Sequence, residues 1–337
     1  MNAYAVVDLQ YGSTGKGLLA GYLAKQRAPD TVVCAFGPNA GHTFVEADGT
    51  RHVHVMMPMG ALSPEIRRVL IGPGAVVHPE LLIKEADRLR SLGHTFELSI
   101  HENAAVVNEH HRARESVATG TVTTGSTRKG TGAALTSKIM RETVTAGQVL
   151  RHTPLAGNVV TVAEYNARMD EAKILQIEGA QGFSLSHHHG FYPYVTSRDC
   201  TTYQLLADCA VPAPLSLALQ VLGTCRTYPI RVNNRDGFSG PCYPDQEEVS
   251  WKSIGVAPEL TTVTKLPRRV FSFSAEQIRQ AIRMDGVDAV FLNFCNYFRD
   301  GAGREVILGD IKDTIEQTGA KVKWEGWGPN ELDVKEI

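Results

Sequence analysis

Lys16 stands inside the run Gly12-Ser13-Thr14-Gly15-Lys16-Gly17, three glycines around one cation. Such a run suits the cradling of phosphate. Glycine lets backbone N–H groups approach an anion, a helix N-terminus adds partial positive charge, and the lysine adds a full one. The spacing fits neither common nucleotide loop. G-x-x-x-x-G-K-[ST] needs glycine at position 10 and a hydroxyl after the lysine, where Gln10 and Gly17 stand, and G-x-G-x-x-G has the reverse spacing. A tight strand-to-helix turn is the other use of these residues. A second turn, Gly37-Pro38-Asn39-Ala40-Gly41-His42-Thr43, carries a histidine at its tip. Later come Glu178-Gly179-Ala180-Gln181-Gly182 and a loop from Thr261 to Arg268-Arg269. Paired guanidinium groups suit bidentate capture of a carboxylate; with no site around them they would be a solvated surface.

These side chains must be held at strand ends. Residues 4–9 feed the first loop and 31–36 the second. Further short runs at 69–71, 97–100, 173–177, 219–225 and 289–294 are apolar on both faces, as buried parallel strands are. Helical patterns cover 16–26, 79–92, which opens with a proline and closes before Gly93, and 275–284 behind the candidate N-cap Ser274. The alternation predicts an α/β fold around one dominant, mostly parallel sheet. The Gly-, Pro- and charge-rich stretch from about 232 to 263 is expected to form loops or a small antiparallel addition.

With 337 residues the chain has room for one large domain or two ordinary ones. A net charge of -2 and a pI of about 6.6 give no bulk attraction to nucleic acid, so only the site itself is expected to be positive. The six cysteines show no metal spacing and read as reduced thiols of a cytoplasmic protein. No charged-then-apolar leader and no apolar stretch near ~18 residues is present, which predicts a soluble protein without a membrane partner.

Taken in order, the blocks resemble those of the adenylosuccinate synthetases, which join aspartate to the 6-position of a purine nucleotide after a nucleoside triphosphate activates the 6-oxygen. That family opens with G-D-E-G-K-G and N-A-G-H-T, then carries E-G-A-Q-G, P-Y-V-T-S and an arginine-rich loop. Here they stand at residues 12–17, 39–43, 178–182, 193–197 and 268–269. Residues 125–132, followed by Lys138 and Arg141, are similar to its G-T-T-G-R-G-I-G-P stretch. The resemblance runs from residue 4 to about 330 and implies a single P-loop-like domain. Lys16 would hold the donor phosphates with Ser13, Thr14, Gly15 and Gly17 of the loop. Gly41, His42 and Thr43 would complete the phosphate end, and Asn293, Asn296 and Gly328 would lie toward the donor base. Mg2+ would be ligated at Ser13 and by the carbonyl of Gly41. His42 matches the general acid that protonates or polarises the oxygens of the transferring phosphoryl group. Gln181, also catalytic, and Asn39 would hold the acceptor base and its 6-oxygen, with Val232 beside the nucleotide. Ser126, Thr127, Thr196 and Arg141 would take its 5′-phosphate. In this family that arginine reaches across from the neighbouring subunit, so a homodimer is implied. Arg268 and Thr264 would hold the carboxylates of L-aspartate.

Three departures redirect the substrates. Ser13-Thr14 replaces the loop's Asp-Glu, whose aspartate is the base at N1 of the purine and a magnesium ligand. A short neutral side chain leaves room for the 2-amino group of guanine and can accept a hydrogen bond from it. Leu266 stands where the family has an arginine that contacts aspartate and the ribose 2′-hydroxyl, which suits a deoxynucleotide. Phe294 and Asn296 replace the lysine and aspartate that read the guanine of GTP, and an amide suits adenine at least as well. Together these resemble the phage-borne branch of the family, the aminodeoxyadenylosuccinate synthetases, which use dGMP, aspartate and ATP to make the precursor of 2-aminoadenine deoxynucleotide. ATP or dATP is therefore the expected donor. An ordinary synthetase using IMP and GTP is the alternative, as is a non-catalytic nucleotide-binding regulator, since loss of the carboxylate base also turns an enzyme into a sensor. The triplet His187-His188-His189 is expected to be a loop beside Thr196 rather than a zinc site, and residues 110–114 a solvated helix face.

Overall fold

The structure, a computed structural model, describes residues 2–117, 126–142, 144–213, 218–233, 237–261, 265–298 and 302–337. Ten strands form one sheet. In order across it they are Val334–Glu336, Lys321–Gly326, Ala289–Asn293, Leu219–Arg226, Asn2–Asp8, Ile174–Glu178, Thr31–Cys34, Arg68–Ile71, Glu97–His101 and Val159–Val160. Each pairing is parallel except that of the C-terminal strand with Lys321–Gly326. Parallel strands are covered on both faces, and here each face has its own core. Ala289 and Phe291 join one cluster, with Leu19 and Leu23 of the first helix; Val290 and Leu292 join the other, with Ile278, Ile282, Ile311 and Ile315.

The elements expected from the sequence recur with ends shifted by a residue or two. The first helix spans Lys16–Arg27, the second Pro79–Ser91, and a third Ala275–Asp285, where Ser274 accepts the Gln277 N–H at 3.0 Å. The antiparallel addition is wider than the stretch expected for it: Glu248–Val249 lies inside that stretch, but Ile230–Arg231 and Arg269–Phe271 flank it. The helix expected at residues 110–114 spans Glu109–Val117, while helices Thr131–Ile139, Val162–Asp170 and Ala302–Glu316, and the two C-terminal strands, add to the expected set. So does the hairpin His42–Val45 with Arg51–His54, whose inward positions are His42, Phe44, His52 and His54. It alternates with the right period, but histidines stand where apolar residues would have signalled it.

Within the helix Glu109–Val117 one expectation changes. Most of residues 110–114 face solvent, but His111 is buried and its Nδ1 accepts the Asn108 N–H at 3.2 Å. All six cysteines are unpaired, and no helix among the described residues is long and apolar enough to cross a membrane.

Candidate active site

In a parallel sheet, ligands gather beyond the C-terminal ends of the strands. Five such ends, at Asp8, Cys34, Glu178, Arg226 and Asn293, converge here. The strand Asn2–Asp8 stops at a buried carboxylate that organises the turn after it. Asp8 Oδ1 accepts the N–H groups of Gln10 (2.9 Å) and Gly12 (3.2 Å), while Oδ2 accepts the Thr14 hydroxyl and the Lys16 ammonium (2.8 Å). Lys16 also donates to the carbonyl of Gln181 at 2.5 Å. Gly15 caps the first helix at φ 100°, and a Cβ there would lie 2.1 Å from the amide nitrogen of Asn293. Ser13, at φ 58°, is the exposed crest of the loop.

The loop after Thr31–Cys34 packs against the start of the first helix at Gly17, where a Cβ would lie 2.7 Å from the backbone of Thr43. His42 is thereby buried, with its ring 4.5 Å from that of Phe36. Burial, then Lys16 and His54, pushes its imidazole down to about 3, so the free site holds it neutral. A neutral ring can polarise an oxygen through an N–H. The neighbouring carboxylate is Glu178, Oε2 lying 4.0 Å from His42 Nδ1. Glu178 accepts the N–H groups of Met59 (2.9 Å) and Gly60 (2.6 Å), and burial raises it to about 7.

Glu178 ends its strand, and Gln181 follows in the left-handed region at φ 67°. Gly182 then presses against the first loop. A Cβ there would lie 2.4 Å from Asp8 Oδ1 and 2.5 Å from both the Gln10 carbonyl and the Gly12 nitrogen. Thr131 donates to the Asn39 side chain at 3.2 Å, which brings the helix after residues 126–130 to the same place. Ser126 accepts the Arg128 N–H at 3.2 Å, and Thr127 is half-buried next to it. Thr196 is tied through its N–H to Leu185, and Ser197 lies against Gly132.

On the other flank, Arg226 donates to the carbonyl of Ser13 at 3.1 Å, pairs with Glu259 and stacks its guanidinium 3.7 Å from the centre of the Phe294 ring. Tyr297 also donates to Glu259, at 2.7 Å. Burial alone would raise the Glu259 carboxyl, but Arg226, Tyr297 and Arg268 hold it below its ordinary value. The Arg268 backbone bonds Glu259 and Trp251, and its side chain is half-buried beside this cluster. Arg269 is committed elsewhere, its guanidinium bridging Glu248 at 2.9 and 2.7 Å.

Ser13, Gly15, Lys16, Gly17, His42, Thr43 and Gln181 therefore adjoin one another, with Asn39 and the helix from Thr131 at one side and Arg268 at the other, whereas among the described residues the one hydrogen bond of the Ser126 side chain is to Arg128. Two residues expected at the donor have occupied side chains. The Thr14 hydroxyl is shared between Asp8 and Thr224, and Asn293 donates to the Thr14 carbonyl (3.1 Å) while accepting the Phe294 N–H (2.8 Å). Both brace the loop from below. Asn296 is exposed, Gly328 packs on Asp333 and the Val232 carbonyl accepts the Ser239 hydroxyl at 2.5 Å. Arg141, at φ 64°, is exposed at the end of its helix. Thr264 lies outside the described residues. In the histidine triplet, His187 donates its N–H to the Arg198 carbonyl at 3.0 Å and His189 stacks on Phe183 at 5.4 Å, and the described residues hold no cluster of three or more metal-ligating side chains. Asp8, Arg226, Glu259 and Tyr297 are additions to the expected set. An acid that closes an apolar run and meets a glycine loop was the one visible signal among them.

The adenylosuccinate synthetase family model matches residues 5–172 and 158–300. Among curated proteins, the N6-succino-2-amino-2'-deoxyadenylate synthases of Cyanophage S-2L and Acinetobacter phage SH-Ab 15497 are 48% and 42% identical, each over 99% of this chain and over 92% and 93% of their own lengths. The adenylosuccinate synthetase of Thermococcus onnurineus is 30% identical over 90% of this chain and 86% of its own. Among solved structures, the Cyanophage S-2L succinoaminodeoxyadenylate synthetase, bound to dGMP and to dATP as an energy donor, superposes with a TM-score of 0.92 at 47% identity, over 99% of this chain and 95% of that one. A fully ligated adenylosuccinate synthetase from Plasmodium falciparum, 17% identical, shares the fold along the whole of both chains at a TM-score of 0.81. With the family model matching most of its length and synthetases at 30% to 48% identity covering 90% to 99% of it, the chain belongs to the adenylosuccinate synthetase family.

Proposed function

We propose that this protein is a carbon–nitrogen ligase that joins L-aspartate to C6 of dGMP, with ATP or dATP cleaved to the diphosphate and phosphate, giving 2-amino-2′-deoxy-N6-succinyladenylate. The observation that carries the reading is the end-to-end match, at 48% and 42% identity, to phage enzymes named for that product. Reading the chain as one domain rests on a single sheet that draws strands from both chain ends.

The chemistry follows from the substrate. The 6-oxygen of a purine is a poor leaving group, so it must first accept a phosphoryl group, after which the aspartate amine displaces phosphate at C6. Phosphoryl transfer depends on positioning and charge neutralisation. Lys16 and the loop amides hold the donor phosphates. His42 points a neutral N–H at the transferring group, and Gln181 and Asn39 hold the acceptor base. Ser13, exposed above the loop, accepts from the 2-amino group of guanine. The guanidinium of Arg268 takes a carboxylate of aspartate.

Ser13 and the Gly41 carbonyl are neutral hard oxygens at exposed positions, with open space where a Cβ of Gly41 would stand. That suits Mg2+, which takes few protein ligands and keeps phosphates and waters. When bound, Mg2+ draws charge off the donor phosphates. Arg141 would serve the 5′-phosphate of a partner subunit. Supporting a homodimer there, Ile139 and Met140 beside it are 77% and 67% exposed, a hydrophobic patch that an interface would cover.

The test is incubation of the purified chain with Mg-ATP, aspartate and either dGMP or IMP, following phosphate release and the absorbance of the succinyl product. Turnover of dGMP is expected. Turnover of IMP alone would overturn the substrate reading, and silence with both would make the protein a nucleotide-binding regulator.

A further inference from the structure

Nothing in the chemistry above uses Asp8, yet the whole phosphate loop is tied to it. Its side chain is 1% exposed and receives four donors: two loop amides, the Thr14 hydroxyl and the Lys16 ammonium. Lys16 is itself 8% exposed and spends a second N–H on the Gln181 carbonyl. An ammonium has three donors, so one is left. A lysine on its flexible four-carbon stem otherwise samples many rotamers, and ordering it costs entropy that a fixed partner offsets in advance. Gly182 keeps open the space over the carboxylate.

We propose that Asp8 is a positioning residue for Lys16. By fixing two of the three N–H directions it presents the third to the donor phosphates, and it places beneath the loop a carboxylate that residues 13 and 14 lack. The charge is what matters. An asparagine at this position keeps an oxygen for the amides of Gln10 and Gly12 but leaves a buried ammonium facing a neutral group, which releases it from its fixed geometry. This inference rests on the reading that Lys16 holds the donor phosphates.

A double-mutant cycle tests it, using Asp8→Asn, Lys16→Met and the pair in the full-length protein. The readouts are kcat and KM for ATP with dGMP and aspartate, the affinity for a fluorescent ATP analogue, and the thermal midpoint. Misplacement of a catalytic group by about 1 Å costs on the order of 10²-fold, and Asp8→Asn is expected to lower kcat/KM for ATP by about that factor. In the Lys16→Met background the same change should have no further effect. Effects that multiply, or wild-type kinetics for Asp8→Asn, would overturn the proposal. So would an Asp8→Asn protein that fails to fold both alone and with Lys16→Met, because Asp8 would then be structural. If the wild-type protein does not turn over dGMP, the ligase reading fails by itself, and the analogue still decides: Asp8→Asn weakens its binding when Lys16 is present and not when it is methionine.

Discussion

At the scale of single residues, the site turns on which groups carry charge and where. Ser13 sits in the left-handed region, which aspartate tolerates better than most side chains, so Ser13→Asp can be made without recasting the loop. It is expected to raise turnover of IMP relative to dGMP in steady-state assays, and an unchanged ratio would remove Ser13 from the specificity argument. Glu178 makes a separate statement about pH. Burial raises its carboxyl from 4.5 to about 7, so the folded protein favours the neutral form. The stability that Glu178 contributes is complete below 4.5 and is lost as pH rises through about 7. His42 acts in the opposite sense. Its folded value of about 3 against 6.5 means that stability is lost as pH falls through that range. Glu178→Gln should therefore abolish the loss on the alkaline side while keeping the acid-side loss. Denaturant unfolding of both proteins on either side of the window from 4.5 to about 7 would measure it.

At the scale of elements, the site is a meeting of loops, and glycines set how closely they meet. Gly182 has an extended backbone that any residue adopts, so its requirement is purely one of space. Gly182→Ala would drive a methyl group into Asp8, Gln10 and Gly12. The expected cost is about 1–3 kcal/mol of stability, as for other overpacked sites, together with a fall in kcat as Lys16 and the Gln181 carbonyl separate. Thermal unfolding and steady-state rates would check both, and wild-type kcat would show that the close approach is dispensable. The first helix was legible because its glycine loop, apolar run and basic end are local features. The hairpin that carries His42 was not, since its inward positions are three histidines and one phenylalanine, and only packing against Gly21 reveals the role of Phe44.

At the scale of the whole molecule, the sheet order sets the first strand between Ile174–Glu178 and Leu219–Arg226, so that loops distant in sequence open on the same side. If Arg141 serves a partner's site, two inactive variants should complement each other. Arg141→Ala mixed with His42→Ala forms hybrid dimers in which one site has an intact histidine from one subunit and an intact arginine from the other. Activity should reappear after dissociation and remixing. A mixture as inactive as its components would place the arginine outside the partner's site.

The sequence alone determined the order of strand, loop and helix and the kinds of group each loop carries, Ser13 rather than a carboxylate among them. Backbone preference, glycine freedom and apolar period are properties of neighbouring residues and can be read without a fold. Only the tertiary structure decided what those groups touch. Lys16 meets the carbonyl of Gln181 across 165 residues, and Arg226 meets that of Ser13 across 213. Parallel crossovers place strand ends side by side whatever their separation along the chain, and no spacing in the sequence encodes which ends will be neighbours.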